Sequence, residues 1–401
     1  MSVKQTAGIR PARRTADITY AVRDIVGLAK EVAATGKEML YLNIGDPNQF
    51  DFATPPHLIE AVEQAIRGNK NGYSPSSGIP AAVKAIEGMA ARNGIKNIRD
   101  VFVTTGGSEA IEICLTALVE PGENVLVPYP GYPLYEAVLS KLEAQSNPYF
   151  LDEENAWQPD LEDMRAKIDA KTRAIVLINP NNPTGSVCSE ETLRGVLQLA
   201  RERDLVVFAD EIYDKMLLSE GRHISIASLD PDAAVITFNG LAKGFLAPGW
   251  RIGWGVVSGG AGPLKDYIEA INKILRARLC ASHPMQYAVS AALEGDQSFM
   301  AGVREKLRRR RDITFAMLNE GPISCVKPEG AFYGFAKLEI PGSDEDFVKA
   351  LVRETGVVPV HGSGFGQRPG TKHMRVVFLP PEEILKKAYE RMLEFASSYR
   401  A

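Results

Sequence analysis

The sequence predicts an α/β fold: a mostly parallel sheet sandwiched by helices in a large domain, followed by a smaller α+β domain. Three observations carry this expectation. Short apolar runs rich in β-branched residues recur at 101–104, 125–128, 174–178, 205–209 and 234–238. Amphipathic stretches such as 108–119 and 190–202 lie between them. After about residue 290 the alternation gives way to a long charged helical pattern.

The five runs are continuous in apolar character, the pattern of strands buried on both faces, and helices between them supply parallel crossovers. Beyond them come a helix over 300–319, short strands over 330–338, 357–360 and 374–378, and a terminal helix from Pro381. This divides the chain into an arm over 1–50 that also completes the small domain, a large domain over 51–290 and a small domain over 291–401. No internal repeat or low-complexity tract interrupts it.

Composition excludes several classes. A chain of 401 residues suits two to four domains, and 45% hydrophobic with 24% charged residues is the balance of a globular protein, not a disordered one. Lys plus Arg number 46 against 50 Asp plus Glu, so the net charge of −4 offers no general excess for nucleic acid. Cys114, Cys188, Cys280 and Cys325 are scattered, and His57, His223, His283, His361 and His373 lack ligand spacing, so neither disulfides nor a metal is expected. The basic N-terminus over 1–14 lacks a following apolar core, which argues against a secretory signal. No uncharged apolar stretch approaches the roughly 18 residues of a membrane span. A cytoplasmic protein without membrane or nucleic-acid partners is the expectation.

Two motifs are discounted. His361-Gly-Ser-Gly-Phe-Gly366 superficially matches a dinucleotide loop, yet Pro369 and Gly370 oppose the helix such a loop must open, so a glycine loop between small-domain strands is expected. Arg308 to Arg311 sit in a helical pattern with Glu305 and Asp312, which reads as a solvated or ion-paired face.

In parallel sheets ligands gather at the carboxyl ends of strands. After the run 101–104 comes Thr105-Gly-Gly-Ser-Glu-Ala110 opening a helix, an arrangement that suits a phosphate. After 174–178 comes Asn179-Pro-Asn-Asn-Pro-Thr-Gly185, either an ordinary turn or a rigid frame for an amide side chain. Asp210 and Glu211 end the run 205–209, with Tyr213 close behind. A carboxylate there needs a cationic partner, unless it merely caps a helix. Lys243 follows the last run in a stretch without other charge until Arg251, unlike the usual solvated lysine.

Together these pieces resemble the fold type I pyridoxal-phosphate enzymes, specifically the class I/II aminotransferases. The likeness spans nearly the whole chain, through Leu42-Asn-Ile-Gly-Asp-Pro47, Tyr73-Ser-Pro-Ser-Ser-Gly78, Thr105 to Ala110, Tyr129 to Tyr135, Asn181 to Gly185, Asp210 to Tyr213, Lys243 to Gly253, Gly330-Ala-Phe-Tyr333 and Met374-Arg-Val-Val377. The resemblance implies a seven-stranded sheet in the cofactor domain. It implies that Lys243 forms the Schiff base with pyridoxal phosphate and shuttles the proton, that Asp210 pairs with the pyridine nitrogen, and that Tyr213 and Asn182 hold the ring hydroxyl edge. Tyr132 would stack on the ring. Gly107, Ser108 and Arg251 would hold the phosphate, with Tyr73 reaching across to a second subunit of a homodimer with shared sites. Arg375 would clamp the substrate carboxylate, assisted by backbone at Gly45.

One departure stands out. The family's lysine segment commonly reads Ser-x-Ser-Lys, and here it is Gly240-Leu-Ala242-Lys243, so two hydroxyl donors to the phosphate are absent. The implied reaction is ping-pong transfer between an amino acid and a 2-oxo acid such as 2-oxoglutarate. The spelling around Gly45-Asp-Pro-Asn-Gln-Phe-Asp-Phe52 looks most like alanine-type members, implying a small or neutral amino acid. The same scaffold also carries β-lyases acting on cystathionine or cysteine conjugates, the main alternative. A regulator that borrowed the domain is disfavoured, because about forty residues before Gly45 leave little room for a DNA-binding module.

Overall fold

The computed structural model describes residues 9–16, 18 and 21–400. Part of the basic stretch 1–14 therefore lies outside the described residues. Among the described residues fourteen strands form three sheets: β1 (Leu40–Tyr41), β2 (Ile98–Thr104), β3 (Asn124–Tyr129), β4 (Gln145–Asp152), β5 (Gln158–Pro159), β6 (Thr172–Ile178), β7 (Val206–Asp210), β8 (Val235–Gly240), β9 (Gly253–Ser258), β10 (Ile323–Cys325), β11 (Tyr333–Leu338), β12 (Val357–Val358), β13 (Val360–His361) and β14 (His373–Val377).

The large sheet has the order β2-β9-β8-β7-β6-β3-β4-β5. Seven long strands make it, and two-residue β5 adds an antiparallel edge to β4. Strands β8, β7, β6, β3 and β4 run parallel; β9 is antiparallel to both of its neighbours, so β2 points the same way as β8. The mostly parallel sheet expected from the five runs is the one observed.

Successive residues of these strands enter different cores, which is why the runs read as continuously apolar. In β6, Ala174, Val176 and Ile178 face one cluster with the helix Gly107–Leu118, while Ile175 and Leu177 face the other. Strands β7 and β8 divide in the same way: Phe208 and Ile236 against Val207 and Val235. Helix ends follow local chemistry. The helix Glu190–Glu202 starts where Ser189 accepts from the Thr192 N–H at 3.1 Å, with two glutamates in its first turn.

A four-stranded antiparallel sheet, β10-β11-β14-β13, carries Arg375 on β14. The parallel pair β1–β12 joins Leu40 to Val357. Directly after it, Leu42 donates to the Val358 carbonyl and accepts from the Val377 N–H, which lays Asn43 to Gly45 beside the end of β14. The predicted strand over 357–360 is thus two short strands in two different sheets. The segment Gly362–Phe365 is a short 3-10 turn between β13 and β14, consistent with a simple glycine loop.

The arginine cluster is ion-paired as the sequence suggests, but only part of it is solvated. Arg309 is an exposed ion-paired residue, but Arg310 and Arg311 are buried. Arg310 forks onto Asp51 with both bonds at 2.8 Å, and Arg311 donates to the Leu218 carbonyl at 3.0 Å. They hold the helix Phe299–Met317 onto distant loops instead of facing water. No helix among the described residues is long and apolar enough to cross a membrane.

Candidate active site at the strand ends

The carboxyl ends of β2, β3, β6, β7 and β8 lie at one edge of the sheet, and a cavity of about 590 Å³ opens there. Gly45, Gly107, Ser108, Tyr132, Asn182, Asp210, Tyr213, Lys243, Arg251 and Arg375 all line it. Ten of the eleven residues singled out from the sequence therefore meet in one place. Tyr73 does not: it is 83% exposed and lies outside the cavity lining.

Lys243 follows the end of β8 and is half-buried in the cavity wall. Its Nζ donates to the Gly45 carbonyl at 2.6 Å and lies 5.4 Å from the Phe332 ring centre. Burial lowers its pKa to about 8; Asp46 and Asp210 oppose this, while Arg375 and Arg251 reinforce it. A substantial neutral fraction is thus available near neutrality, as a nucleophilic or proton-accepting amine requires.

Asp210 ends β7 and is 6% exposed. Burial raises its pKa to about 6, against the Ile212 N–H and the Tyr135 hydroxyl, which donates at 3.2 Å. No ion pair to Asp210 forms among the described residues; neutral donors contact it, and the charge of Lys243 acts on it from farther off. Nor does Asp210 cap a helix, since a turn follows it.

Tyr213 and Tyr333 are both buried, and their hydroxyls lie 2.7 Å apart. Burial, reinforced by the neighbouring tyrosine, raises the Tyr213 pKa well above its ordinary value, so it remains a neutral phenol. Arg375 reaches from the smaller sheet toward the large one. It donates to Asn182 Oδ1 at 3.2 Å and to the Asn43 carbonyl at 2.6 Å, with its guanidinium 4.7 Å from the Tyr333 ring centre.

At the N-terminus of the helix Gly107–Leu118, Gly106 has φ of 77°, and a Cβ there would overlap the Arg251 guanidinium. The helix's unsatisfied N–H groups and Arg251 thus converge on one point, an anion cradle. At position 240 the missing hydroxyl has a steric reason. A Cβ on Gly240 would sit 2.7 Å from the Ile252 carbonyl, so this backbone does not admit serine without shifting.

Sequence reasoning gave no role to Tyr135, Tyr333 or Asp46. Tyr135 and Tyr333 lay inside motifs already singled out, but nothing local shows which way their hydroxyls point. Among the described residues no cluster of three or more His, Cys, Asp or Glu side chains is arranged to hold a metal.

Residues 37–392 match the family model described as aminotransferase class I and II. The chain belongs to this family. It is similar to a glutamate-pyruvate aminotransferase of Escherichia coli strain K12, at 37% identity covering 98% of each chain. It is also similar to an alanine aminotransferase of Mycobacterium tuberculosis strain H37Rv, at 39% identity covering 96% of this chain and 92% of the other. Among solved structures, an alanine aminotransferase from Pyrococcus furiosus superposes with a TM-score of 0.94 at 42% identity, covering 97% of this chain and all of the other. The protein is thus a pyridoxal-phosphate-dependent transaminase of fold type I. The cavity suits that cofactor: an anion cradle at one end, a buried carboxyl with no ion pair among the described residues at the other, and an amine of lowered pKa between aromatic walls.

Proposed function

We propose that this transaminase exchanges the amino group of a small neutral L-amino acid, alanine foremost, with 2-oxoglutarate. The observation that carries this reading is the agreement of three relatives, 37–42% identical over nearly the whole chain, named for alanine or for glutamate and pyruvate. Those relatives transfer amino groups, which favours transamination over the β-lyase alternative.

Bound pyridoxal phosphate supplies a carbonyl that takes up the amino group and an electron-withdrawing ring that acidifies the substrate's Cα–H bond. The chain's residues divide the remaining work. Gly107, Ser108 and Arg251 would hold the phosphate at the helix N-terminus. Asp210, kept in place by Tyr135, would pair with the ring nitrogen, where its ionised form would retain a proton. Tyr213 and Asn182 would bind the ring hydroxyl, and Tyr132 would stack on the ring. Arg375 takes the substrate carboxylate beside Gly45, and Lys243 moves the proton from Cα as its neutral amine.

The exposure of Tyr73 supports a homodimer in which that side chain completes the partner's phosphate site. The eight-stranded sheet, confined to residues 98–258, and the pairing of β1 with β12 support a division of the chain at about residues 50 and 290, and we place the enzyme in the cytoplasm. A panel of amino donors against 2-oxoglutarate tests the reading. Alanine should give stoichiometric pyruvate and glutamate. Pyruvate with free ammonia from cystathionine, and no glutamate from any donor, would overturn it.

A further inference from the structure

A second cavity, of about 600 Å³, shares no lining residue with the first. It lies behind the end of β7, where Glu211, the neighbour of Asp210, meets His223 at 3.2 Å. Its walls come from three separate parts of the chain and carry five cations: Arg92, Lys215, Arg222, Arg304 and Arg308. Asp214 is the single carboxylate in the lining. In a chain whose net charge is −4, this concentration is a local property of the fold.

None of the five forms an ion pair among the described residues. Arg92 donates to the Leu293 carbonyl at 3.0 Å, Lys215 to Gln297 Oε1 at 2.8 Å, and Arg304 to the Lys215 carbonyl at 3.5 Å. Arg308 donates to the Leu218 carbonyl at 3.1 Å, and no hydrogen bond from the Arg222 side chain is formed among the described residues. Each guanidinium has five N–H donors in a planar fork, so most of them remain available to the cavity. Lys215, Arg304 and Arg308 are half-buried, where water screens their mutual repulsion less than at an open surface. Burial opposes the charging of His223, but the Glu211 carboxylate outweighs burial and raises its pKa, and that same carboxylate offsets any charge the ring takes up. A concave wall of one sign focuses its field on a counter-ion.

We propose that this cavity is a binding site for a compact multivalent oxyanion, one bearing two or more clustered phosphate or carboxylate groups. A monovalent anion satisfies one fork and leaves the others repelling. A multivalent one engages forks from Arg222 and from Arg304 or Arg308 at once. The volume admits a small molecule and not a folded partner.

The test uses the enzyme loaded with pyridoxal phosphate, so that the catalytic phosphate cradle is filled. Pyrophosphate and citrate, titrated calorimetrically at constant ionic strength, distinguish phosphate from carboxylate ligands, and acetate serves as the monovalent control. At least one of the two should bind once per chain and more tightly than acetate. Arg222→Glu, on an exposed side chain, should weaken that binding about ten-fold or more while leaving turnover unchanged, and Arg304→Gln should weaken it in the same direction. Binding no tighter than acetate, or binding that Arg222→Glu leaves intact, would overturn the proposal. So would binding that displaces pyridoxal phosphate from the wild-type enzyme.

Discussion

The Tyr135 hydroxyl donates to Asp210 Oδ2 at 3.2 Å, and among the described residues it is the side-chain donor that this buried carboxyl possesses. The bond favours the ionised acid against the burial that raises its pKa to about 6. In the enzyme without cofactor, Tyr135→Phe should therefore raise the titration midpoint of Asp210, followed by carboxyl NMR, by about one pH unit, since a hydrogen bond to a charged group contributes about 1.5 kcal/mol. An unshifted midpoint would show that the hydroxyl does not act on Asp210.

The raised pKa of Asp210 also predicts a pH-dependent penalty in the enzyme without cofactor. The unfolded chain ionises this group near 4, whereas the folded one does so near 6. Its contribution to stability is present below about pH 4 and is lost as pH rises through about 6. Asp210→Asn removes that loss. Relative to wild type, the variant should gain roughly 2–3 kcal/mol between about pH 4 and pH 8 in urea unfolding of the apoenzyme. A constant difference across that range would contradict the assignment.

Lys243 should behave as an amine of pKa about 8 in the apoenzyme, not as a surface lysine. Cofactor uptake, followed by absorbance, should accelerate as pH rises through about 8, because only the neutral amine attacks. Lys243→Ala should retain its fold and lose transaminase turnover by about 10⁴-fold, the upper end for a positioned proton-transfer group. Uptake independent of pH between about 7 and 9 would argue against a lowered pKa.

Arg375→Lys keeps the charge and loses the planar fork that spans Asn182 and the Asn43 carbonyl. The expected result is a 10–100-fold fall in kcat/KM, estimated from about 1.5–3 kcal/mol for a charge-assisted bond, for amino and 2-oxo substrates alike. Cofactor content after gel filtration should not change. Loss of cofactor instead would move Arg375 from the substrate to the cofactor side of the site.

Gly106→Ala tests the anion cradle. The new Cβ collides with the Arg251 guanidinium, and the backbone φ of 77° disfavours any residue but glycine. Dialysis should show pyridoxal phosphate held about ten-fold more weakly, with Arg251→Ala producing a similar change. Unaltered retention in both variants would remove Arg251 from the phosphate site.

Much of this molecule is legible in local sequence. Strands β3, β6, β7 and β8 are buried on both faces, so they announce themselves as unbroken apolar runs. Strand β4, Gln145–Asp152, escapes such reading because it is half polar and lies near the sheet edge. Strand β9 escapes because its glycines, Gly253 and Gly255, weaken the β-branched signal. The arginine run discloses pairing but not burial: charge alone does not show that Asp51, more than 250 positions away, pairs with a buried Arg310.

What the sequence by itself determined is the residue types at the strand ends: Lys243, Asp210, Asn182, Arg251 and the Gly107–Ser108 turn. Their order along the chain is local information: Asp210 ends its strand, Asn182, Lys243 and the Gly107–Ser108 turn follow theirs closely, and Arg251 lies just before β9. Tertiary structure alone decided how they are tuned. Tyr135 reaches Asp210 across 75 positions, Arg375 reaches Asn182 across 193, and Lys243 reaches Gly45 across 198. The cationic cavity likewise exists only where three remote segments pack together. Burial, which sets the pKa of both Asp210 and Lys243, belongs to the packed fold and to no single segment.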